Sequence, residues 1–210
     1  MSMNSLIKFD QSYYSRKVKL IAGVDEAGRG PIAGPVVAAA VIFDKKADHL
    51  KINDSKKLSE KTRNELYEWI TNNCISFGVG IVDHLEIDRI NILQASLKAM
   101  KIAVEKLDRA PQLCLIDGNK TFHSNIKTIA IVKGDSKSFS IAAASIIAKV
   151  TRDKIMDDYA RYHPHYLWER NKGYATSAHI TALKKFGISD LHRKTFLSKI
   201  LNKEKQEVLF

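Results

Sequence analysis

The 210-residue sequence predicts an α/β fold: a mixed five-stranded sheet flanked by helices, with a helical C-terminal region. Three observations carry that expectation. Short β-rich runs bounded by Gly, Pro or polar residues recur at 20–24, 36–43, 75–82, 113–116 and 126–132. Segments with apolar residues at helical spacing separate several of these runs. Hydrophobic residues make up 45% of the chain and charged residues 27%, as in a soluble protein with a sizeable core. One domain over 1–210 is therefore expected, with 1–19 as a loose polar lead-in and 177–210 as a helical basic region.

In chain order, the runs at 20–24 and 36–43 read as two strands joined by a tight Gly- and Pro-rich connection. Ser59 is placed to cap a helix running to position 73, with Leu66, Trp69 and Ile70 on its inner face. A strand over 75–82 alternates around Gly78 and Gly80. One long amphipathic helix is expected over about 85–108, from Ile87, Ile90, Leu97, Met100, Val104 and Leu107. Strands over 113–116 and 126–132 end at Asp117-Gly118 and just before Gly134-Asp135. An Ala- and Ile-rich helix follows over about 138–162, then helices over 177–186 and 193–203.

Composition excludes several classes. No apolar stretch approaches the ~20 residues of a membrane span, and the N-terminus lacks a signal-peptide core. Cys74 and Cys114 are the only cysteines, too few for a disulfide framework or a zinc cluster, so free thiols in a cytoplasmic protein are expected. The net charge of +11 favours a polyanionic partner. Residues 161–210 hold ten Lys/Arg against four Asp/Glu, so much of the surplus is C-terminal. Nothing in the sequence calls for an obligate oligomer, and a monomer is expected.

The chemistry concentrates at 25–30, Asp-Glu-Ala-Gly-Arg-Gly. The glycines satisfy G-x-G-x-x-A through Ala33, but that dinucleotide fingerprint needs a helix directly after the first glycines. Pro31 and Pro35 bracket the segment, a strand follows, and two carboxylates would repel a pyrophosphate; the dinucleotide reading fails. Asp25 and Glu26 could be solvated turn residues. Asp117 could be a turn former before Gly118, and Asp135 a cap for the helix that follows. Taken together, all four fall at the carboxyl ends of expected strands, the edge where open α/β sheets bind ligands. Gathered there, they would suit Mg²⁺ or Mn²⁺, which prefer hard oxygen donors. Asp153 reads as salt-bridging, and His163, His165, His179 and His192 show no ligand spacing.

Beyond DEAGRG, further blocks stand in order: DSKKLS at 54–59, LIDG at 115–118, KGD at 133–135, IAAASIIAKVTRD at 141–153 and GYAT at 173–176. On these six blocks the chain resembles the ribonuclease HII family. The resemblance implies a ribonuclease H-like fold, three parallel strands with an antiparallel pair at one edge. It implies an endonuclease that cuts the RNA strand of RNA–DNA hybrids and DNA duplexes carrying single ribonucleotides. Asp25, Glu26, Asp117 and Asp135 would be the catalytic, metal-binding acids, holding two Mn²⁺ or Mg²⁺ ions. Gly28, Arg29 and Gly30 would form the loop that senses the ribose 2′-hydroxyl, Tyr174 would pack on the following deoxyribose, and Lys56 would contact phosphate. Two rivals share parts of this pattern: another two-metal nuclease on the same fold, which needs no 2′-hydroxyl sensor, and a non-catalytic nucleic-acid-binding protein.

Overall fold

The computed structural model describes residues 5–49, 52, 55 and 58–197. Five strands form one sheet in the order β3-β2-β1-β4-β5. They are β1 (Ile21–Ala27), β2 (Val36–Ile42), β3 (Ser76–Val82), β4 (Leu113–Asp117) and β5 (Lys127–Ile131). β1 pairs in parallel with β4, and β4 with β5; β2 runs antiparallel to both β1 and β3. The three parallel strands therefore deliver their carboxyl ends to one edge, as expected.

Helices cover both faces. On one side lies α5 (Phe139–Tyr162), with α2 (Glu60–Asn73) beyond it; on the other lie α3 (His84–Ile90) and α4 (Ile92–Glu105). The two-residue period of β2 sorts its side chains cleanly. Val36, Ala38, Ala40 and Ile42 join the α4 core, while Ala39 and Val41 join the α5 core. Small residues set the spacing. A side-chain carbon at Gly80 would stand 2.0 Å from the Ala99 carbonyl oxygen, so the Ala95-Ala99-Ala103 stripe of α4 rests directly on the β3 backbone. At Gly23 the same carbon would stand 2.1 Å from the Ser140 carbonyl carbon, which places the first turn of α5 against β1.

Ser59 caps its helix as expected, accepting from the Thr62 amide; α5 is capped by Ser138, which accepts from Ile141, and not by Asp135, and Thr176 caps the helix that begins at Ser177 by accepting from His179. α7 (Ser177–Phe186) ends at Gly187 at φ 81°. The short α6 (Trp168–Asn171) lies between α5 and α7. Of the last expected helix, only 194–197 is helical among the described residues; the remainder lies outside them.

Three expectations change. The lead-in is not loose where it is described: α1 (Ser5–Gln11) buries Leu6, Ile7 and Asp10. Asp10 Oδ2 accepts from both the amide and the hydroxyl of Ser140, each at 2.8 Å, and so anchors the first turn of α5. The single helix over 85–108 is two. Asn91 adopts φ 67°, and its side chain caps α4 by accepting from the Leu93 and Gln94 amides, an option open to asparagine but not to the apolar residues around it. Finally, the β1–β2 connection is not tight but spans eight residues, 28–35. Among the described residues, no helix is long and apolar enough to cross a membrane. Cys74 and Cys114 are both free thiols.

Candidate active site

Strand alternation aims the acids. On β1, Ile21 and Gly23 face α5, so Asp25 does too; on β4, Leu113 and Leu115 share that face, so Asp117 joins it. Parallel pairing of Val24 with Ile116 brings the next residues, Asp25 and Asp117, side by side at the sheet edge. Gly134, in the 3₁₀ turn Gly134–Ser136, donates its amide to Asp117 Oδ1 at 2.6 Å. That bond brings the turn carrying buried Asp135 to the back of the cluster.

Asp25 is buried, and its carboxyl is pushed well above the usual carboxylate range by burial and by Glu26, Asp117 and Asp135 nearby; the Glu26 amide, 2.7 Å from Oδ1, opposes this only partly. Burial raises Glu26 as well, against the pull of Arg29, whose Nη1 lies 3.1 Å from Glu26 Oε1. Glu26 Oε2 is buried without a hydrogen-bond partner. The edge thus gathers several carboxylates around one ion-paired arginine, and it carries an orphan oxygen on Glu26. Among the described residues, no group of three or more His, Cys, Asp or Glu side chains is arranged to hold a metal ion.

A cavity of about 340 Å³ opens over these groups, lined by Asp25, Glu26 and Asp117 and by Gly28, Arg29, Gly30 and Tyr174. Asp135 does not line it, and Lys56 lies outside the described residues. The 54–59 block reaches the cavity through Ser55 instead, whose hydroxyl lies 2.7 Å from that of Ser145 on α5. Lys149 also lines it, held at 2.7 Å by Asp153, the salt bridge expected for that aspartate. A larger open cleft of about 840 Å³ lies between α4 and 120–123. Its one carboxylate, Glu86, is paired with Arg89 and Lys98, whereas Asp25, Glu26 and Asp117 all line the smaller cavity.

Two buried arginines lie beneath the 28–35 connection. Arg152 donates to the carbonyls of Pro35 (3.0 Å), Ala33 (3.2 Å) and Lys172 (2.9 Å), tying the connection to the Tyr174 loop. Arg193 donates to Gly28, Arg29, Gly34 and Pro35. Burial pushes Arg152 down to about 10 and Arg193 down to about 9, which still leaves both cationic at neutral pH. Gly28, at φ 97°, is required by the same packing: a side-chain carbon there would stand 2.1 Å from Arg152 Nε. At Gly30 it would meet only the Tyr174 ring, at 3.5 Å.

The Tyr174 loop has its own anchor, which the sequence did not flag. Trp168 Nε1 donates to His179 Nε2 at 3.0 Å, so the His179 proton sits on Nδ1, 2.8 Å from the Tyr174 carbonyl. His192 Nε2, 3.1 Å from His179 Nε2, must then be the donor, leaving His192 Nδ1 to accept from the Ser189 amide and hydroxyl. Both rings are held neutral: burial lowers His179, and burial together with His179 lowers His192 to about 4. An unfolded histidine protonates near 6.5, so this contribution to stability is complete above that pH and is lost as pH falls from 6.5 towards 4. The raised Asp25 and Glu26 act in the opposite sense. Thermal unfolding of wild type and His192→Gln at pH 7.5 and 5 separates the two: the variant should lose less on acidification, and an equal loss would refute the histidine assignment.

A mixed sheet in this strand order, with carboxylates gathered where its parallel strands end, defines the ribonuclease H-like class. Comparisons with known proteins sharpen this. Residues 22–199 match the family described as Ribonuclease HII. The Ribonuclease HII of Caldanaerobacter subterraneus subsp. tengcongensis is 52% identical over 193 residues, 92% of this chain and 80% of that one. That of Rickettsia akari is 51% identical over 191 residues, 91% of this chain and 96% of its own. Among solved structures, the ribonuclease H2 of Pyrococcus horikoshii OT3 superimposes with a TM-score of 0.73 at 27% identity, covering 88% of this chain and 98% of that one. The chain belongs to the ribonuclease HII family, and is thus an endoribonuclease of the ribonuclease H type.

Proposed function

We propose that this enzyme hydrolyses the RNA strand of RNA–DNA hybrids and cuts 5′ to single ribonucleotides in duplex DNA, leaving 3′-hydroxyl and 5′-phosphate ends. The observation that carries this reading is one cavity lined by both the acids and the Gly28-Arg29-Gly30 and Tyr174 loops. Asp25, Glu26 and Asp117, with Asp135 behind them, would hold two Mg²⁺ or Mn²⁺ ions. Their donors are all hard oxygens, Glu26 Oε2 lacks any other partner, and few protein ligands per ion leave room for water and phosphate oxygens. Bound there, such ions would offset the carboxylate repulsion and polarise water and phosphate.

The chain's own residues account for the choice of substrate. Gly28-Arg29-Gly30 brings backbone close to the sugar, where amide groups can bond a 2′-hydroxyl, the feature separating RNA from DNA. The Tyr174 ring, 44% exposed beside Gly30, offers an apolar platform to the next, deoxy sugar. Arg29 and Lys149 stand at the rim to meet phosphate, and Lys56 is assigned the same role. The enzyme would act as a monomeric single domain in the cytoplasm.

A labelled DNA duplex with one central ribonucleotide, alongside all-DNA and all-RNA duplexes, tests the proposal in Mg²⁺, Mn²⁺ or EDTA. One metal-dependent cut 5′ to the ribonucleotide is expected. Equal cutting of all-DNA duplex would replace this reading with a general two-metal nuclease, and hybrid binding without cutting would leave a binding protein. Tyr174→Ala should lower kcat/KM on the single-ribonucleotide duplex by about tenfold, for the lost apolar contact with the sugar. Tyr174→Phe should keep most of the activity; equal losses in both variants would assign the effect to the hydroxyl instead of the ring.

A further inference from the structure

Arg193 has no part in the acid cluster, yet it is 0% exposed, and Asp88, the carboxylate whose charge acts on it, forms no ion pair with it among the described residues. Its guanidinium lies over the Phe196 ring at 5.2 Å and gives its hydrogen bonds to a single stretch of backbone. Nη2 donates to the Gly28 carbonyl at 2.7 Å and to Pro35 at 3.1 Å, Nη1 to Arg29 at 3.1 Å, and Nε to Gly34 at 2.9 Å. The segment 191–193 is in turn bridged to this stretch, the Arg193 amide donating to Ile32 and the Gly34 amide to Leu191.

No peptide here is cis, and in a trans peptide the carbonyl of one residue and the N–H of the next point in opposite directions. With the Gly28 and Arg29 carbonyls turned down onto Arg193, the N–H groups of Arg29 and Gly30 are turned up and away from it. Neither N–H has an acceptor within the described residues, and both residues line the cavity over Asp25. A buried cation at the carbonyl end also polarises both peptides, strengthening the donors at their far ends.

We propose that Arg193 is the positioning residue for ribose discrimination: it locks the Arg29 and Gly30 N–H groups as a donor pair aimed at the 2′-oxygen. This rests on the reading of Gly28-Arg29-Gly30 as the sugar-sensing loop. Only arginine fits the role, because a planar fork with five donors can hold four carbonyls at once, whereas a lysine ammonium has three donors and no fixed plane.

The test is binding selectivity, which a merely structural defect would not change. Affinities of wild type and Arg193→Lys for a duplex with one ribonucleotide, and for the same duplex without it, are measured in Ca²⁺ to hold back cleavage. Wild type should prefer the ribonucleotide duplex. Arg193→Lys should lose roughly tenfold of that preference, about the worth of the two donor bonds, while binding all-DNA duplex as before. An unchanged preference in folded Arg193→Lys overturns the proposal. Absence of preference in wild type instead overturns the sensing-loop reading on which it rests.

Should Arg193→Lys not fold, amide spectra of wild type decide. The Arg29 and Gly30 amides should exchange rapidly in the free protein and shift with the ribonucleotide duplex but not with all-DNA duplex. Protection of both in the free protein would show them bonded inward and refute the geometry.

Discussion

Asp25→Asn should abolish cleavage of a single-ribonucleotide duplex, by at least ~100-fold, and at the same time raise the melting temperature of the metal-free protein. The pairing of these outcomes follows from the site. Asp25 is buried beside Glu26 and Asp117, and its carboxyl is held well above the ordinary carboxylate range. A group raised in the folded state contributes stability below its unfolded value of 3.8, and that contribution is lost as pH rises through the folded value, so at neutral pH the charge opposes folding. Asparagine keeps the shape and removes the charge. Thermal unfolding in EDTA and then in Mg²⁺ or Mn²⁺ checks both halves: wild type should gain from the cation, and the variant should start higher and gain less. An Asp25→Asn enzyme of near wild-type rate would remove Asp25 from the chemistry.

Gly23→Ala should have a large effect on stability, on the order of 3 kcal/mol or more. The added carbon would stand 2.1 Å from the Ser140 carbonyl carbon and 2.2 Å from the Ile141 nitrogen. Both are main-chain atoms in the first turn of α5, where Ser138 caps the helix and Asp10 holds Ser140, so no side-chain rotation relieves the clash. The helix must lift from β1, thinning the core that includes Ile21, Leu115 and Ile141. For a protein of this size the melting temperature should fall by roughly 6–12 °C. A shift within about 2 °C would mean that α5 does not rest on Gly23. Activity should fall too, because Asp135 enters the cluster from the turn just before that helix.

The elements were legible where a local rule sufficed. Ser59 caps its helix, and the strand ends at Asp25-Glu26 and Asp117 lie within a residue or two of expectation. The α3–α4 break was not, because apolar spacing continues through Asn91 and only its side-chain capping interrupts the helix. α1 was missed because seven residues carry too short a pattern, and burying Leu6, Ile7 and Asp10 depends on α5 being in place.

Within the site, Asp25, Glu26 and Asp117, which line the cavity with the glycine loop, stand in the contiguous blocks DEAGRG and LIDG, while Asp135, from KGD, does not line it. What holds them could not. Arg152 reaches carbonyls 117 and 119 positions away, and Arg193 reaches across 158 to 165 positions. An isolated arginine bonded to main-chain carbonyls has no spacing to betray it. The His179–His192 pair escaped for a similar reason: its function is to hold the Tyr174 carbonyl, and a pattern of metal ligands is the wrong thing to seek.

The Arg193 clamp has a consequence for how the protein comes into being. All four acids lie within the first 135 residues, and the five strands are complete by Ile131. A growing chain could therefore assemble the sheet and its carboxylate edge well before synthesis ends. The bonds that Arg193 gives the Gly28 and Arg29 carbonyls can form only once residue 193 has emerged. On the proposed role of Arg193, discrimination between sugars would then be among the last properties acquired, and an unfinished chain would hold the acids without the ruler that tells them where to cut.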